Sequence, residues 1–577
     1  MGLLVWRLLS PHAPIVPQQG HERCLDCHTT PHDLPNAPHA EMGCAICHLG
    51  DVLAAAKPAA HRGLEREPGA LATVGQTCAR SGCHSDEGRT VATSLMATGR
   101  GLIAVDRWAL GEIALPNGAT TVVELLASPT PTAADEHLRK LCAGCHLNTR
   151  RANRDDAISG RYATGSGCSA CHIPAGASVD HARIDAQVAD DRCVGCHSRS
   201  ARIGLSYQGL AEAVTATACA DPVLLPDGRA ACAAKPDAHH AAGLACIDCH
   251  VHTELMGDGV ARNHEAEQVE VTCESCHGPG RRTSTWGQVT DAVTLRLSPV
   301  RAAAHLAQEP VLLASRGTPL WNVRQLASGA WVLRGKLDGK DHPIAPTPVD
   351  AAHSLTGHGR LTCASCHAAW TPTCLTCHTD FVATETQWDF ALGALRPGRW
   401  RETSGGPAHA PPVLAVRADG QIAPAAPGMI LELDATARGG DVVKARWFSA
   451  FDPHTTVREA RTCASCHQSP AALGLGQGRL LDAPDGPQFV PDHVDATGLA
   501  ADRWTTLTAV DPAQGTRVGL RSLNALELRR IVRAGACLRC HDAGESRIFA
   551  DFAKARQSIR RPASPCAGAH QAWLLAD

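Results

Sequence analysis

Cysteine and histidine recur together along this chain in one order, and both residue types are suited to covalent attachment and metal ligation. Twelve times a pair of cysteines is followed at once by histidine. Two residues separate the cysteines in eleven copies, and four separate them in the third copy. In chain order, the first to twelfth motifs are Cys24, Cys27, His28; Cys44, Cys47, His48; Cys78, Cys83, His84; Cys142, Cys145, His146; Cys168, Cys171, His172; Cys193, Cys196, His197; Cys246, Cys249, His250; Cys273, Cys276, His277; Cys363, Cys366, His367; Cys374, Cys377, His378; Cys463, Cys466, His467; and Cys537, Cys540, His541.

This order of residues is the attachment signature of a c-type haem. The two thiols add to the porphyrin vinyl groups, and the next residue places an imidazole on the iron as the proximal ligand. Paired cysteines can also supply half of a zinc site or form disulfides. Neither alternative needs a histidine directly after every pair. The sequence therefore predicts twelve covalently attached haems c.

Twelve of the 31 histidines belong to the motifs, so nineteen others could supply the second axial ligand of each iron. Three of them, His39, His137 and His358, lie five residues before a motif, from where they can reach a neighbouring haem. Ligation by two histidines is expected and implies low potentials, whereas methionine would raise them. The candidate iron ligands are His21, His32, His39, His61, His137, His181, His239, His240, His252, His264, His305, His353, His358, His409 and His454.

Three cysteines fall outside the twelve motifs. Cys219 and Cys232 lie 13 residues apart, which favours a local disulfide in an oxidising compartment. Cys566 and His570 have the haem-motif spacing, with alanine in place of the second cysteine. We expect an eroded motif whose histidine serves a neighbouring haem, rather than a thirteenth haem.

The chain is poor in aromatic residues and rich in chain-breaking ones. Its 577 residues include 7 Phe, 2 Tyr and 11 Trp, against 52 Gly and 37 Pro. The flat haem macrocycles would then take the place of aromatic side chains in the interior, and their covalent attachment would hold the loops in position. The expected fold is haem-cored and mostly irregular, with short α-helices and a few β-hairpin insertions.

The motifs divide the chain unevenly. Eight lie within residues 1–285, a haem-dense N-terminal lobe, and four within residues 286–577, a C-terminal lobe with β-rich insertions. Turn signals predict hairpins within 320–334 and 411–433. Helical spacing predicts a helix over 524–534 with Asn524 as its N-cap. The segment 95–127 could be a surface flap or a further hairpin.

The formal net charge of −3 excludes the basic footprint of a nucleic-acid-binding protein. Haem of this kind is attached outside the cytoplasm, so we expect a periplasmic, cell-surface or extracellular protein. Residues 2–9 are apolar but few, and Arg7 interrupts them, so no signal peptide is evident. We expect a truncated start or a mature-like fragment. No other stretch approaches the roughly 20 apolar residues of a transmembrane helix.

With its twelve motifs the chain resembles the large multihaem cytochromes c of bacterial respiratory electron transfer. Residues 273–280 (CESCHGPG) are similar to a haem segment of the nitrite reductases, the hydroxylamine oxidoreductases and their octahaem relatives. Two features depart from that group. No motif ends in lysine, the ligand of the nitrite reductase catalytic haem, and Tyr162 and Tyr207 are the only tyrosines available for a cofactor crosslink.

The resemblance implies an electron carrier rather than an enzyme. It would relay electrons between a membrane or periplasmic cytochrome and an outer-membrane conduit or extracellular acceptor. A second possibility is an oxidoreductase with one open haem acting on a small nitrogen or sulfur compound. A third is a subunit of a cytochrome filament or a porin–cytochrome complex.

Overall fold

A computed structural model of the chain shows short helices and small sheets joined by long irregular segments. It describes residues 22–28, 39, 42–149, 166–173, 184–199, 201–278, 285–290, 292–298, 310–350, 352–355, 357–374, 376–404, 407–483, 486–494, 500, 502–543, 546–559 and 574. Glycine and proline interrupt regular structure often in these ranges, which accounts for the short elements. The predicted short helices and hairpins are therefore present, whereas a haem core stays a prediction.

Most helices are one or two turns long, and several coincide with a cysteine motif. Short 3₁₀ turns lie at Arg23–Asp26, Val74–Gln76, Ala143–Cys145, Ala352–Ser354 and Thr436–Arg438. The α-helices are α1 Ala45–His48, α2 Lys57–Ala60, α3 Ser85–Val91, α4 Leu95–Thr98, α5 Arg100–Ala109, α6 Val122–Ala127, α7 Ala133–Leu141, α8 Ser169–His172, α9 Asp190–His197, α10 Ile203–Tyr207, α11 Ala238–Ala241, α12 Cys246–Cys249, α13 His252–Leu255, α14 Glu265–Gln268, α15 Cys273–His277, α16 Ala292–Leu297, α17 Cys363–His367, α18 Cys463–His467, α19 Ala525–Cys537, α20 Ser546–Phe549 and α21 Phe552–Ile559.

The strands form several separate sheets. They are β1 Leu210–Ala213, β2 Val223–Leu224, β3 Ala230–Ala233, β4 Thr285–Gly287, β5 Val311–Leu313, β6 Val323–Gln325, β7 Trp331–Arg334, β8 Asp341–Ile344, β9 Thr371–Cys374, β10 Thr376–Asp389, β11 Ala394–Ser404, β12 Pro407–Ala410, β13 Val413–Val416, β14 Ile422–Asp434, β15 Val442–Ala450, β16 Gly478–Ala483 and β17 Gly486–Pro491. In the largest sheet β14 pairs with β13 and β15 antiparallel and with β10 in parallel, and β11 forms an edge.

Both predicted hairpins are confirmed. Strands β6 and β7 pair antiparallel within residues 320–334, and β13 and β14 do so within 411–433. Gly329 and Gly420 take left-handed backbone conformations in the two turns, with φ of 85° and 83°. Glycine adopts this region without the clash that a Cβ would cause. The Asp-Gly signal at Gly420 therefore marked a real chain reversal, whereas the Pro-Gly signal at Gly428 lies within β14 and marks none.

The predicted helix over 524–534 is confirmed as α19, which extends three residues further. Asn524 accepts a hydrogen bond from the Glu527 backbone at 2.9 Å, and Glu527 accepts one from the Asn524 backbone at 3.0 Å. This reciprocal pair is a capping box, which satisfies two of the N–H groups left open at a helix start. The helix then leads directly into the twelfth motif.

The segment 95–127 is neither a flap nor a hairpin but three helices, α4, α5 and α6. Ser94 caps α4, and Gly99 ends it with φ of 61°. Thr121 and Glu124 form a capping box for α6. The capping residues could be recognised in the sequence. Gly99, in a left-handed conformation, divides the apolar residues between α4 and α5, so no single helical period runs through the segment.

Apolar residues pack in several small clusters rather than one core. One cluster joins Leu473, Leu475, Leu523 and Leu528 around α19. Others lie under the β5–β8 hairpins, within the large sheet and among α5, α6 and α7. The scarcity of aromatic residues agrees with this pattern, because large side chains are what usually unite a core.

Candidate functional site

Most of the cysteine motifs adopt one compact helical turn. In five of them the histidine N–H donates to the carbonyl of the first cysteine, at 2.9–3.1 Å in the first, second, fifth, seventh and twelfth motifs. The sixth, eighth, ninth and eleventh motifs lie in α9, α15, α17 and α18. A turn of this kind brings both thiols and the imidazole to one side of the backbone, as attachment to a single macrocycle requires.

The wide-gap third motif closes in the same way. The His84 N–H donates to the Cys78 carbonyl at 3.0 Å, although two more residues lie between its cysteines. Gly82, with φ of 82°, takes up part of the extra length. The additional residues thus loop out without changing the relation between the first cysteine and the histidine.

The tenth motif is different, because its backbone is extended. Cys374 ends β9, while Cys377 and His378 lie in β10 opposite Ser404 and Thr403 of β11. A strand rises about 3.3 Å per residue, so it spreads the motif over a greater length than a helical turn does. This backbone does not fit the attachment of one haem, and a turn would have to replace the start of β10.

Six motif histidines face a second histidine across a nearly constant gap. Each second histidine is one of the candidate iron ligands named from the sequence. The pairs and the distances between ring centres are His28 and His61, 6.1 Å; His84 and His39, 6.1 Å; His277 and His239, 6.0 Å; His250 and His454, 6.1 Å; His367 and His353, 6.3 Å; and His467 and His358, 5.9 Å.

The gap matches two imidazoles bound to opposite sides of one metal ion. A metal–imidazole bond is about 2.0 Å and a ring nitrogen lies about 1.1 Å from the ring centre, so collinear ligands have centres about 6.2 Å apart. Aromatic pairs without a metal also have ring centres about 4.5–7 Å apart, so the spacing is compatible with a metal ion between the rings and does not by itself require one. The six pairs therefore fit a haem iron between their rings.

Seven of the twelve rings in these pairs have a hydrogen-bond acceptor at Nδ1, as metal-ligating histidines usually do, whereas Nδ1 of His358 is buried without one. A backbone carbonyl can only accept, so it fixes Nδ1 as the protonated nitrogen and leaves Nε2 free to bind a metal. The Nδ1 acceptors and distances are Asp237 for His239, 2.8 Å; Glu254 for His250, 2.7 Å; the Ala345 carbonyl for His277, 2.7 Å; Asp350 for His353, 2.8 Å; the Val457 carbonyl for His367, 3.0 Å; the Asp452 carbonyl for His454, 3.0 Å; and the Ile531 carbonyl for His467, 2.8 Å.

The three carboxylates in this set were missed by the sequence reasoning, although their spacing gives a signal. Asp237 lies two residues before His239, Asp350 three before His353, and Glu254 four after His250. Such short separations place a carboxylate beside a ring in a turn or a helix. The carbonyl acceptors come from distant segments and leave no trace in the sequence.

The other described candidates meet different partners. His137 Nδ1 lies 3.0 Å from the Asp106 carboxylate, and its ring packs edge-on against Trp400. His240 and His409 pack edge-on against Tyr207 and Trp370. His264 uses Nε2 for a 3.3 Å contact with the Pro116 carbonyl, and His252 begins α13. His21, His32, His181, His305, Cys566 and His570 lie outside the described residues.

Electrostatic interactions between cysteine thiols indicate which motifs are neighbours. Burial and then the Cys24 thiol raise the pKa of Cys44 to about 11. Burial and then the Cys78 thiol raise the pKa of Cys47 to about 11. Burial and then the same Cys78 thiol raise the pKa of Cys168 to about 12. The first, second, third and fifth motifs are therefore neighbours in that order.

The sequence of contacts continues through the middle of the chain. Burial and then the Cys193 thiol raise the pKa of Cys171 to about 11. The Cys246 thiol donates a hydrogen bond to Cys193, which raises the pKa of Cys246 and lowers that of Cys193. Burial and then the Cys276 thiol raise the pKa of Cys249 to about 12. These contacts add the sixth, seventh and eighth motifs.

The last contacts lead into the C-terminal lobe. The Cys273 thiol donates a hydrogen bond to Cys363, which raises the pKa of Cys273. Burial and then the Cys466 thiol raise the pKa of Cys366. His467 bonds to a carbonyl of α19, which ends at the twelfth motif. We call the unbroken series of the first, second, third, fifth, sixth, seventh, eighth, ninth and eleventh motifs the motif line.

The cysteines Cys219 and Cys232, outside the motifs, form a disulfide, which confirms that prediction.

The described residues contain one group with the tight clustering of a metal site. Glu22, Cys24 and Cys44 have ligand atoms within 4.8 Å of one another, and they join the first motif to the second. The other described motifs do not pair into clusters of this kind.

Comparison with known proteins gives no relative for this chain. It matches no family model, and neither a curated protein nor a solved structure is significantly similar to it. The helices within the described ranges are all too short or too polar to cross a membrane.

Proposed function

We propose that the chain is a multihaem electron-transfer cytochrome c, with haem c attached at its twelve motifs. When bound, each haem supplies an iron that accepts and releases one electron. The cysteines hold the macrocycle, and the following histidine supplies one axial nitrogen. The tenth motif takes part only after its extended backbone has formed a turn.

In this proposal the six facing histidines would complete the axial ligation of six haems, and other histidines outside the motifs would serve the remaining six. Two neutral imidazole nitrogens leave no open coordination position for a substrate, and they favour a low potential compared with methionine ligation. The Nδ1 acceptors would hold seven of these twelve rings in the required tautomer and orientation. Such sites suit electron transfer rather than chemistry on a bound molecule.

The observation that carries the proposal is the unbroken motif line. Thiols of neighbouring motifs interact electrostatically from the first motif to the eleventh, which supports cofactors that would follow one another along the chain. A multihaem oxidoreductase would also deliver electrons through such a series, so kinetics separate the two functions. The partners would be redox proteins outside the cytoplasm, such as periplasmic or membrane cytochromes.

Kinetics of the purified holoprotein test the proposal. We expect fast electron exchange with a soluble cytochrome or a mineral surrogate, and no turnover of nitrite, hydroxylamine or tetrathionate. Steady-state turnover of one of these compounds, with slow exchange between proteins, would instead support the oxidoreductase. Self-association through the chain ends would support a filament subunit.

A further inference from the structure

The seventh motif differs from three later motifs in the acceptor that its histidine meets. His250 Nδ1 lies 2.7 Å from the carboxylate of Glu254, four residues further along the chain. Backbone carbonyls occupy this place beside His277, His367 and His467, in the eighth, ninth and eleventh motifs. His250 therefore has an acidic acceptor where these three have a neutral one.

Glu254 is buried, and both of its oxygens are held by hydrogen bonds. Its side chain is 2 % exposed and belongs to α13. Oε1 accepts the backbone N–H groups of Glu270 and Val271 at 2.6 and 2.7 Å, and Oε2 faces His250. Bonds of this kind stabilise the ionised form of a carboxylate. They come from the segment that leads into the eighth motif at Cys273, so the carboxylate is fixed between the two motifs.

A cation also contacts the seventh motif. Lys336, in the turn between β7 and β8, donates through Nζ to the Ile247 carbonyl and, at 3.2 Å, to that of His250. Its backbone N–H donates to Asp248 at 2.5 Å. The seventh motif therefore has an anion at its ring nitrogen and a cation at its backbone.

The two charges act in opposite directions on an iron bound to His250. An imidazole whose N–H is bonded to a carboxylate is the more basic ligand, and a more basic ligand stabilises ferric over ferrous iron. A nearby ammonium favours the ferrous form, which carries one positive charge less. Glu254 acts through the ligand ring itself, whereas Lys336 acts through the backbone, so the effect of the carboxylate is the larger.

From these contacts we infer that Glu254 is a positioning residue that lowers the reduction potential of the seventh haem, and that Lys336 offsets part of this effect. The inference rests on the proposed function, because it needs a haem on His250. Reduction adds one electron to the iron, breaks no bond and leaves the proton on Nδ1 of His250. An iron of lowered potential readily passes its electron to a neighbouring haem of the motif line.

Redox titration of the full-length holoprotein tests the inference. An electrode supplies the electrons through soluble mediators, and the haem absorbance gives the number of reduced haems. The area between two titration curves equals the summed shift of all haem potentials, so no haem has to be assigned first. Glu254→Gln should raise this sum by the equivalent of a tenfold change in the reduction of one haem, about 59 mV for one electron. Lys336→Met should lower the sum by less.

Glu270→Gln is the matched control. Glu270 is 1 % exposed, and its carboxylate accepts bonds from the Thr253 and Thr318 hydroxyls. The substitution removes a buried carboxylate from the same region and leaves the His250 bond in place, so the sum should rise much less than in Glu254→Gln. Equal rises in both variants, or a Glu254→Gln curve that coincides with that of the parent, would overturn the inference.

The variant Cys246→Ala, Cys249→Ala assigns the shift to the seventh haem. In that background Glu254→Gln should raise the sum no more than Glu270→Gln does, and a full rise would contradict the inference. If Glu254→Gln does not fold, Lys336→Met decides, since a raised or unchanged sum is incompatible with two opposing charges. The mass of the peptide that contains the motif separates the two levels. A parent without haem there contradicts the proposed function, whereas a haem with an unshifted potential contradicts this inference alone.

Discussion

At the scale of single residues, His454 shows how the chain accepts strain to place a ring. Its backbone has φ of 52°, a left-handed conformation that is costly for a residue with a Cβ. The ring stacks 6.1 Å from that of His250, with 19° between the planes, and its Nδ1–H donates to the Asp452 carbonyl. Strain retained at such a position indicates that the placement of the ring matters.

The first prediction concerns this residue. Replacing His454 by methionine should raise one haem potential by on the order of 100 mV and leave the covalent haem content unchanged, because thioether ligation favours ferrous iron. A redox titration followed by visible and near-infrared spectra measures the shift. His240→Met is the matched control, since that ring packs on Tyr207 instead. Identical spectra for both variants and the parent would show that His454 is not a ligand.

Glu527 gives a prediction about stability and pH. Although burial opposes its ionisation, hydrogen bonds from Arg521, the Asn524 N–H and Arg360 lower the pKa of Glu527 from 4.5 to about 2. A lowered pKa in the folded state stabilises the fold above the unfolded pKa, and this contribution is lost as pH falls from about 4.5 toward 2. Glu527→Gln should therefore cost about 1–2 kcal/mol at pH 7 and much less at pH 3.

Thermal unfolding of the holoprotein at both pH values measures the Glu527 effect. The control is Glu459→Gln, which removes an exposed ion pair with Lys235 and should change nothing measurable. A Glu527→Gln protein as stable as the parent at pH 7 would mean that the capping box does not support α19.

At the scale of elements, the sequence predicted structures that depend on neighbouring residues, but it did not predict contacts between residues far apart in the chain. The hairpins at β6–β7 and β13–β14 and the start of α19 follow from turn and cap residues, which act within a few positions. The helices of 95–127 were missed because Gly99 divides their pattern. The facing histidines were named as a set, but their pairing depends on segments up to about two hundred residues apart, such as His250 and His454, and sequence spacing does not encode it.

The tenth motif provides the prediction at this scale. If haem is attached there, the start of β10 must leave its pairing with β11. Hydrogen–deuterium exchange of the holoprotein should then be fast at residues 376–379 and slow at 386–389. In a Cys374→Ala, Cys377→Ala variant both ranges should be protected, because the strand pairs as it does in the structure.

The same variant decides whether this motif is used at all. It should weigh one haem less than the parent, apart from the cysteine changes. Equal haem content in parent and variant would mean that the extended conformation persists and that the tenth motif binds no haem.

At the scale of the whole molecule, the apolar residues that the structure describes form small separate clusters, such as the one around Leu473 and Leu528. If haem is attached as proposed, the covalent attachments would connect such clusters along the motif line and add to the stability of the fold. Haem content would then matter for the fold as well as for the proposed function.

We predict twelve haems in the intact mass of the heat-denatured holoprotein, since every thiol pair is followed by its proximal histidine. A mass that corresponds to eleven haems would indicate that one motif binds none, either the tenth motif or the third motif with its wider gap between Cys78 and Cys83. A mass with thirteen would show that Cys566 attaches one as well.

Low-temperature electron paramagnetic resonance of the fully oxidised holoprotein tests the central proposal most directly. Six motif histidines face second imidazoles at a spacing that suits axial ligands, and the nineteen histidines outside the motifs are enough to serve the other haems as well. The account therefore predicts low-spin ferric signals that integrate to all attached haems. A high-spin ferric signal in stoichiometric amount, shifting when nitrite or hydroxylamine is added, would contradict it and identify an open haem.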